Sequence, residues 1–101
     1  MLDFKKWLKL EDNASSEGVA YHTTDDWRLS NIMDVGLIPQ MFKGQRVTFF
    51  SDNPNAYKPA HDEIQLRFPW PADAQLFDIV DGDKEYITRT TIPPNKIEQI
   101  K

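Results

Sequence analysis

Val47-Thr48-Phe49-Phe50-Ser51-Asp52-Asn53-Pro54 is the stretch whose reading decides the fold. β-Branched and aromatic side chains suit a pleated, half-buried surface, and no other run in the chain is as rich in them. Turn-forming polar residues and a proline then stop the strand abruptly. The pattern continues C-terminally. Ile64, Leu66 and Phe68 alternate with Gln65 and Arg67, the period of a half-buried strand. Leu76 to Val80 resumes after Pro69-Trp70-Pro71-Ala72-Asp73, the turn Asp81-Gly82-Asp83 reverses the chain, and Glu85 to Arg89 returns. Ile92-Pro93-Pro94 is a rigid link to a short final strand over 96–100.

On the N-terminal side, Val19 to Thr23 is a β-prone run ending in polar residues. Thr24-Asp25-Asp26 is a helix-start cluster, and Trp27, Leu29, Ile32, Met33 and Val35 keep an approximate helical period until Gly36 ends it. Leu37-Ile38-Pro39 leaves as an extended segment, and Gln40 to Arg46, with Gly44 and one exposed aromatic, Phe42, reads as a flexible loop. Asn55 to Lys58 is expected to form one helical turn after Pro54, cut short by Pro59. Residues 3–10 place Phe4, Trp7 and Leu8 on one face of a short amphipathic helix, and Glu11 to Gly18 is loop chemistry. The expectation is one α+β domain over 1–101, with an N-terminal helix and loop over 1–17 and the core over 18–101.

The chain has 101 residues, 40% of them hydrophobic and 28% charged, enough for one compact domain. Twelve basic against sixteen acidic residues give a net charge of −4, which argues against indiscriminate binding of phosphate backbones. Without cysteine there is no disulfide framework and no thiolate chemistry, and His22 and His61 lack metal-ligand spacing, so no metal site is expected. No serine sits in a Gly-x-Ser-x-Gly turn, and the four glycines stand singly, excluding a phosphate-cradling loop or dinucleotide fingerprint. No apolar run approaches a bilayer span and the N-terminus lacks a signal-peptide core, so a soluble, cytoplasmic protein without membrane contact is expected.

What remains is a set of polar residues at strand ends: His22, Thr23 and Thr24 after one, Ser51 and Asp52 after another, Glu85 at the start of a third. Such side chains converge when their strands pair, and together they suit a ligand cleft. Each also has a plain structural role to offer: a satisfied strand histidine, a helix cap at Thr24, a solvated Glu85 beside a turn, a loop aromatic at Tyr57 that covers the core edge.

The order and local wording of these clusters resemble a known family. Tyr21-His22-Thr23-Thr24, followed by Leu29 to Leu37 with its closing Gly36-Leu37, resembles the first motif of the ADP-ribosyltransferase superfamily, an aromatic-His-x-Ser/Thr strand end before a helix closed by Gly-Leu. Val47 to Asp52 with Asn55-Ala56-Tyr57 behind it resembles the second motif, and Glu85-Tyr86-Ile87 the third, a strand-borne glutamate. Ile92 to Ile97 looks like the tail of several small bacterial and phage relatives. The likeness covers residues 19–100. It is closer to the poly(ADP-ribose)-polymerase-like or diphtheria-toxin-like His-Tyr-Glu branch than to the Arg-Ser-Glu branch, because the first motif offers His22 and no arginine. Phe49 and Phe50 depart from the pattern by leaving the strand of the second motif without a tyrosine hydroxyl.

The resemblance implies a small split antiparallel sheet with two or three short helices, NAD as substrate, and transfer of ADP-ribose to a protein or nucleic-acid acceptor. It implies Glu85 as the catalytic carboxylate beside the ribose whose bond to nicotinamide breaks. That bond cleaves through a cationic sugar, much as in glycoside hydrolysis, so a fixed carboxylate lowers the barrier. His22 would hold the adenine-side ribose, the Thr23 backbone and Thr24 hydroxyl the carboxamide, and Tyr57 and Phe49 the nicotinamide ring, with Ser51 in the same cofactor-binding set. The acceptor would be met by the loops 40–46, 54–63 and 81–84. Two other outcomes stay open: a non-catalytic module of the same fold acting on a protein partner, and transfer of an RNA 2′-phosphate to NAD.

Overall fold

The computed structural model describes residues 18–100. The helix expected over 3–10 and nearly all of the loop after it lie outside the described residues. Strand β1 (Val19–Asp25) leads through a 3-10 turn (Asp26–Arg28) into helix α1 (Leu29–Val35). Six strands follow: β2 (Gln40–Phe42), β3 (Gln45–Ser51), β4 (Glu63–Pro69), β5 (Gln75–Val80), β6 (Asp83–Thr88) and β7 (Glu98–Ile100), with a second 3-10 turn (Pro94–Lys96) before β7. They form one antiparallel sheet in the order β5-β6-β3-β1-β4-β7, with β2 paired onto β3.

Pairing along that sheet is uneven. β1 and β4 are in register over their whole length, from Val19 opposite Pro69 to Asp25 opposite Glu63. β1 and β3, at the centre, share one pair, Tyr21 opposite Ser51. The sheet is therefore two well-paired halves, β5-β6-β3 with β2 and β1-β4-β7, joined along a narrow seam.

One face of the sheet carries the core, where Ala20, Phe50, Leu66, Phe68 and Tyr86 pack with Ile32 of α1, Leu37, Ile92 and Ile97. Phe50 is its centre: 1% exposed, stacked on Tyr86 at 5.8 Å and met edge-on by Phe68 at 5.9 Å and Trp70 at 5.1 Å. Helix α1 is short because Gly36, at φ 96°, turns the chain sharply towards Ile92. Leu37 donates to the Ile92 carbonyl at 2.9 Å and Ile92 donates back at 3.1 Å. The approach leaves no room for a side chain, since a Cβ on Gly36 would lie 2.5 Å from the Ile92 oxygen.

Four expectations are corrected. Thr24 and Asp25 end β1 instead of starting a helix, because the ladder to β4 runs on through Asp25 and Glu63, and neither the 3-10 turn nor α1 has a side-chain cap. Tertiary pairing overrides the local helix-start preference. The segment 40–46 is a hairpin, not a loop: β2 and β3 flank Lys43 (φ 48°) and Gly44 (φ 82°), the two positive angles of a type I′ turn. Its Phe42 is half-buried, edge-on to Phe49 at 4.9 Å. Residues 55–58 form no helical turn: a turn at Pro54 and Asn55 gives way to bends at Ala56 and Tyr57, and the Pro54 carbonyl accepts from the Gln65 side chain at 2.7 Å. Lys96, placed at the head of the last strand by the sequence, closes the second 3-10 turn, and the ladder to β4 begins at Glu98. Among the described residues the helical share is one α-helix and two 3-10 turns.

Candidate functional site

A groove follows the seam where β1 and β3 part. It has two compartments of about 360 and about 330 Å³ that share His22, Thr23, Phe49 and Glu63. The first continues to Tyr21, Tyr57, Lys58 and Glu85; the second continues to Thr24, Asp25, Arg28 and the β2 residues Gln40, Met41 and Phe42.

His22 bridges the seam by donating Nδ1–H to the Phe49 carbonyl at 2.6 Å. A carbonyl can only accept, so the Nδ1 position carries the proton. Burial pushes the imidazole pKa down, the Phe49 carbonyl pulls it up, and the Arg28 charge adds to the downward push; the balance is below the ordinary value. The ring is then neutral at physiological pH and offers Nε2 as an acceptor, suited to a ligand hydroxyl.

Glu85 begins a row across three strands: it stands opposite Ser51 on β3, which stands opposite Tyr21 on β1. Residues directly opposite share a face, so this row lies on one side of the sheet. The Tyr57 phenol donates to Glu85 Oε2 at 3.0 Å. Burial first, then the hydrogen bond and charge of Glu85, then Asp83 and Asp78, push the Tyr57 hydroxyl up to about 12, so it keeps its proton and acts as a donor. Strand side chains hold the segment that carries Tyr57; Asp83 Oδ1 accepts from Asn53 Nδ2 at 3.1 Å and Glu63 Oε1 from the Ala60 N–H at 2.8 Å. Thr23 Oγ1 donates to the Tyr57 carbonyl at 2.7 Å, Gln65 Nε2 to the Pro54 carbonyl at 2.7 Å, and Ser51 Oγ accepts from the Asn53 N–H at 3.1 Å. Phe49, which lines the same compartment as Tyr57, forms an apolar wall braced edge-on by Phe42 at 4.9 Å and Phe77 at 5.1 Å.

Of the residues singled out by sequence, His22, Thr23, Phe49, Tyr57 and Glu85 line the first compartment together. Thr24 opens on the second. Ser51 lines neither; it is 1% exposed, and its hydroxyl is spent on the Asn53 backbone. Gln65, which anchors the segment beside the site, is not among the residues singled out. Gln65 reads in sequence as the polar, solvent-facing partner of an alternating strand, and only the register that sets it opposite Thr23 reveals its place. Among the described residues no group of three His, Cys, Asp or Glu side chains is placed to hold a metal ion, and no helix is long and apolar enough to cross a membrane. Compared with protein-family models, with curated proteins and with solved structures, the chain matches none.

Proposed function

We propose that the groove binds NAD and that the protein is an NAD-dependent ADP-ribosyltransferase. The observation that carries the reading is that His22 and Glu85, 63 positions apart in sequence, line one compartment together with the rings of Tyr57 and Phe49. In this reading nicotinamide lies between Tyr57 and Phe49, and the adenosine end passes His22 into the compartment of Thr24 and Arg28. Thr24 then contacts the adenosine side instead of the carboxamide, and Ser51 acts through the Asn53 turn instead of touching the ligand.

The chemistry is a substitution at the ribose C1′. The bond to the nicotinamide nitrogen breaks with its electron pair leaving on nicotinamide, and an oxygen or nitrogen of the acceptor bonds to C1′ and gives up its proton. Glu85 presents one oxygen to the Tyr57 phenol and keeps the other for a ribose hydroxyl, and its charge favours the cationic sugar. Tyr57 limits the freedom of that carboxylate, and the neutral His22 accepts a hydroxyl without placing a competing cation beside the sugar.

The test is incubation with NAD labelled in its adenylate half, with and without a cell lysate, following nicotinamide release and the fate of the label. Glu85→Gln is expected to lower the rate about 10²–10³-fold with the fold intact. Failure of the wild-type protein to bind NAD in calorimetry would refute the reading. A second reading, a non-catalytic module for a protein partner, draws support from β5, an edge strand on which Leu76, Phe77, Ile79 and Val80 are 41–57% exposed. In that case Ile79→Lys abolishes partner binding while Glu85→Gln leaves it unchanged. The RNA 2′-phosphate reading is less well served, because among the described arginines only Arg28 lines the groove.

A further inference from the structure

The segment from Asn53 to Ala60, whose Tyr57 and Lys58 line the first compartment, belongs to no ladder or helix. Its internal bonds are few: Ala56 N–H to the Asn53 carbonyl at 3.2 Å and Asn55 N–H to Asn53 Oδ1 at 2.9 Å. Its position is therefore set from outside, by strand side chains: Ser51 and Asp83 hold Asn53 at one end, Glu63 holds the Ala60 N–H at the other, and Thr23 and Gln65 act between them. Two of these, Thr23 on β1 and Gln65 on β4, are directly opposite each other and so rise from one face. Neither donates to the other; each donates to a main-chain carbonyl of the segment, at Tyr57 and at Pro54. Gln65 is only 7% exposed, and an amide buried to that degree is costly unless bonded, which ties the strand and the segment together. The residue that Thr23 fastens is the one whose phenol meets Glu85.

We propose that Thr23 and Gln65 are the positioning residues of this site: as a cross-strand pair they pin the 53–60 segment at two carbonyls and thereby hold the Tyr57 phenol on the Glu85 carboxylate. This deepens the NAD reading, because it assigns the geometry of the proposed ring-binding wall to a hydroxyl and an amide that touch no ligand themselves. Its test runs without NAD, so the two stand or fall separately.

Thr23→Val and Gln65→Met each remove a donor while nearly preserving shape. In protein labelled at the tyrosine Cζ carbon, with Tyr57→Phe assigning the resonance, the wild-type Tyr57 is expected to be about one-tenth ionised at pH 11. Each variant is expected to move towards about nine-tenths, the value of a phenol with its ordinary pKa. Thr23→Ser, which keeps the hydroxyl, is expected to match the wild type. In the wild type itself the Thr23 hydroxyl proton is expected to exchange slowly enough with water to be seen, a measurement that survives should either variant fail to fold. Unmoved ionisation in both folded variants, or a Thr23 hydroxyl in free exchange, overturns the proposal even in a protein that cleaves NAD. Shifted ionisation in a protein that never binds NAD supports the positioning role and removes the NAD reading alone.

Discussion

At His22 burial and a hydrogen bond pull one proton in opposite directions, and burial prevails. The sign of the consequence is fixed. With its pKa lower folded than unfolded, the unfolded chain binds the extra proton first, so stability is full above about pH 6.5 and falls as pH drops through the folded value. The slope contributed by this residue is at most about 1.4 kcal/mol per pH unit. Denaturant unfolding across pH 7 to 5 is expected to show this loss, and His22→Asn, which keeps a donor for the Phe49 carbonyl but cannot titrate, is expected to flatten the curve. A second decline follows at lower pH from Asp73. Burial raises its pKa, but the Thr88 hydroxyl, the Arg89 N–H and the Thr90 hydroxyl outweigh that and hold it below the ordinary 3.8, so its contribution disappears as pH falls through the folded value. These side chains differ in how far sequence could reveal them. His22, Thr23 and Glu85 stand at strand ends in a recognisable order; Gln65 and Asp73 act through partners that only the folded register brings near.

Two hairpins share one turn geometry and differed in legibility. Asp81 (φ 51°) and Gly82 (φ 86°) close β5 onto β6, and Asp-Gly is the standard signal for that turn. Lys43 and Gly44 close β2 onto β3 with similar angles, but lysine in a left-handed conformation is uncommon, and the three residues of β2 are too few to show an alternation. Strands β3 to β6 were readable from composition and period because each is flanked by turn residues. The end of β1 was not, because its last residues carry helix-start chemistry and are held extended by β4. Glycine substitutions separate the two kinds of constraint. Gly82→Ala meets open space and is expected to cost about 1 kcal/mol from backbone strain alone. Gly36→Ala adds a collision with the Ile92 carbonyl and is expected to cost more than about 2 kcal/mol. Thermal unfolding of the two variants side by side measures the difference.

For the molecule as a whole, a chain of this size has a total stability of about 5–15 kcal/mol. Phe50 joins the two half-sheets on the core face, being on β3 and packed against Phe68 of β4 and Tyr86 of β6. Phe50→Ala is expected to remove about 3–5 kcal/mol, a large share of that total. Chemical denaturation is expected to show a midpoint far below that of the wild type, whereas Ile79→Lys on the exposed edge is expected to leave it nearly unchanged. The single Tyr21–Ser51 pair has a mechanical corollary. A sheet stitched so sparsely along its midline is expected to yield there sooner than within either half, where the ladders are continuous. Molecules of differing girth would be accommodated by a change in the angle between the two halves, and whatever wedges between them would stiffen the whole protein.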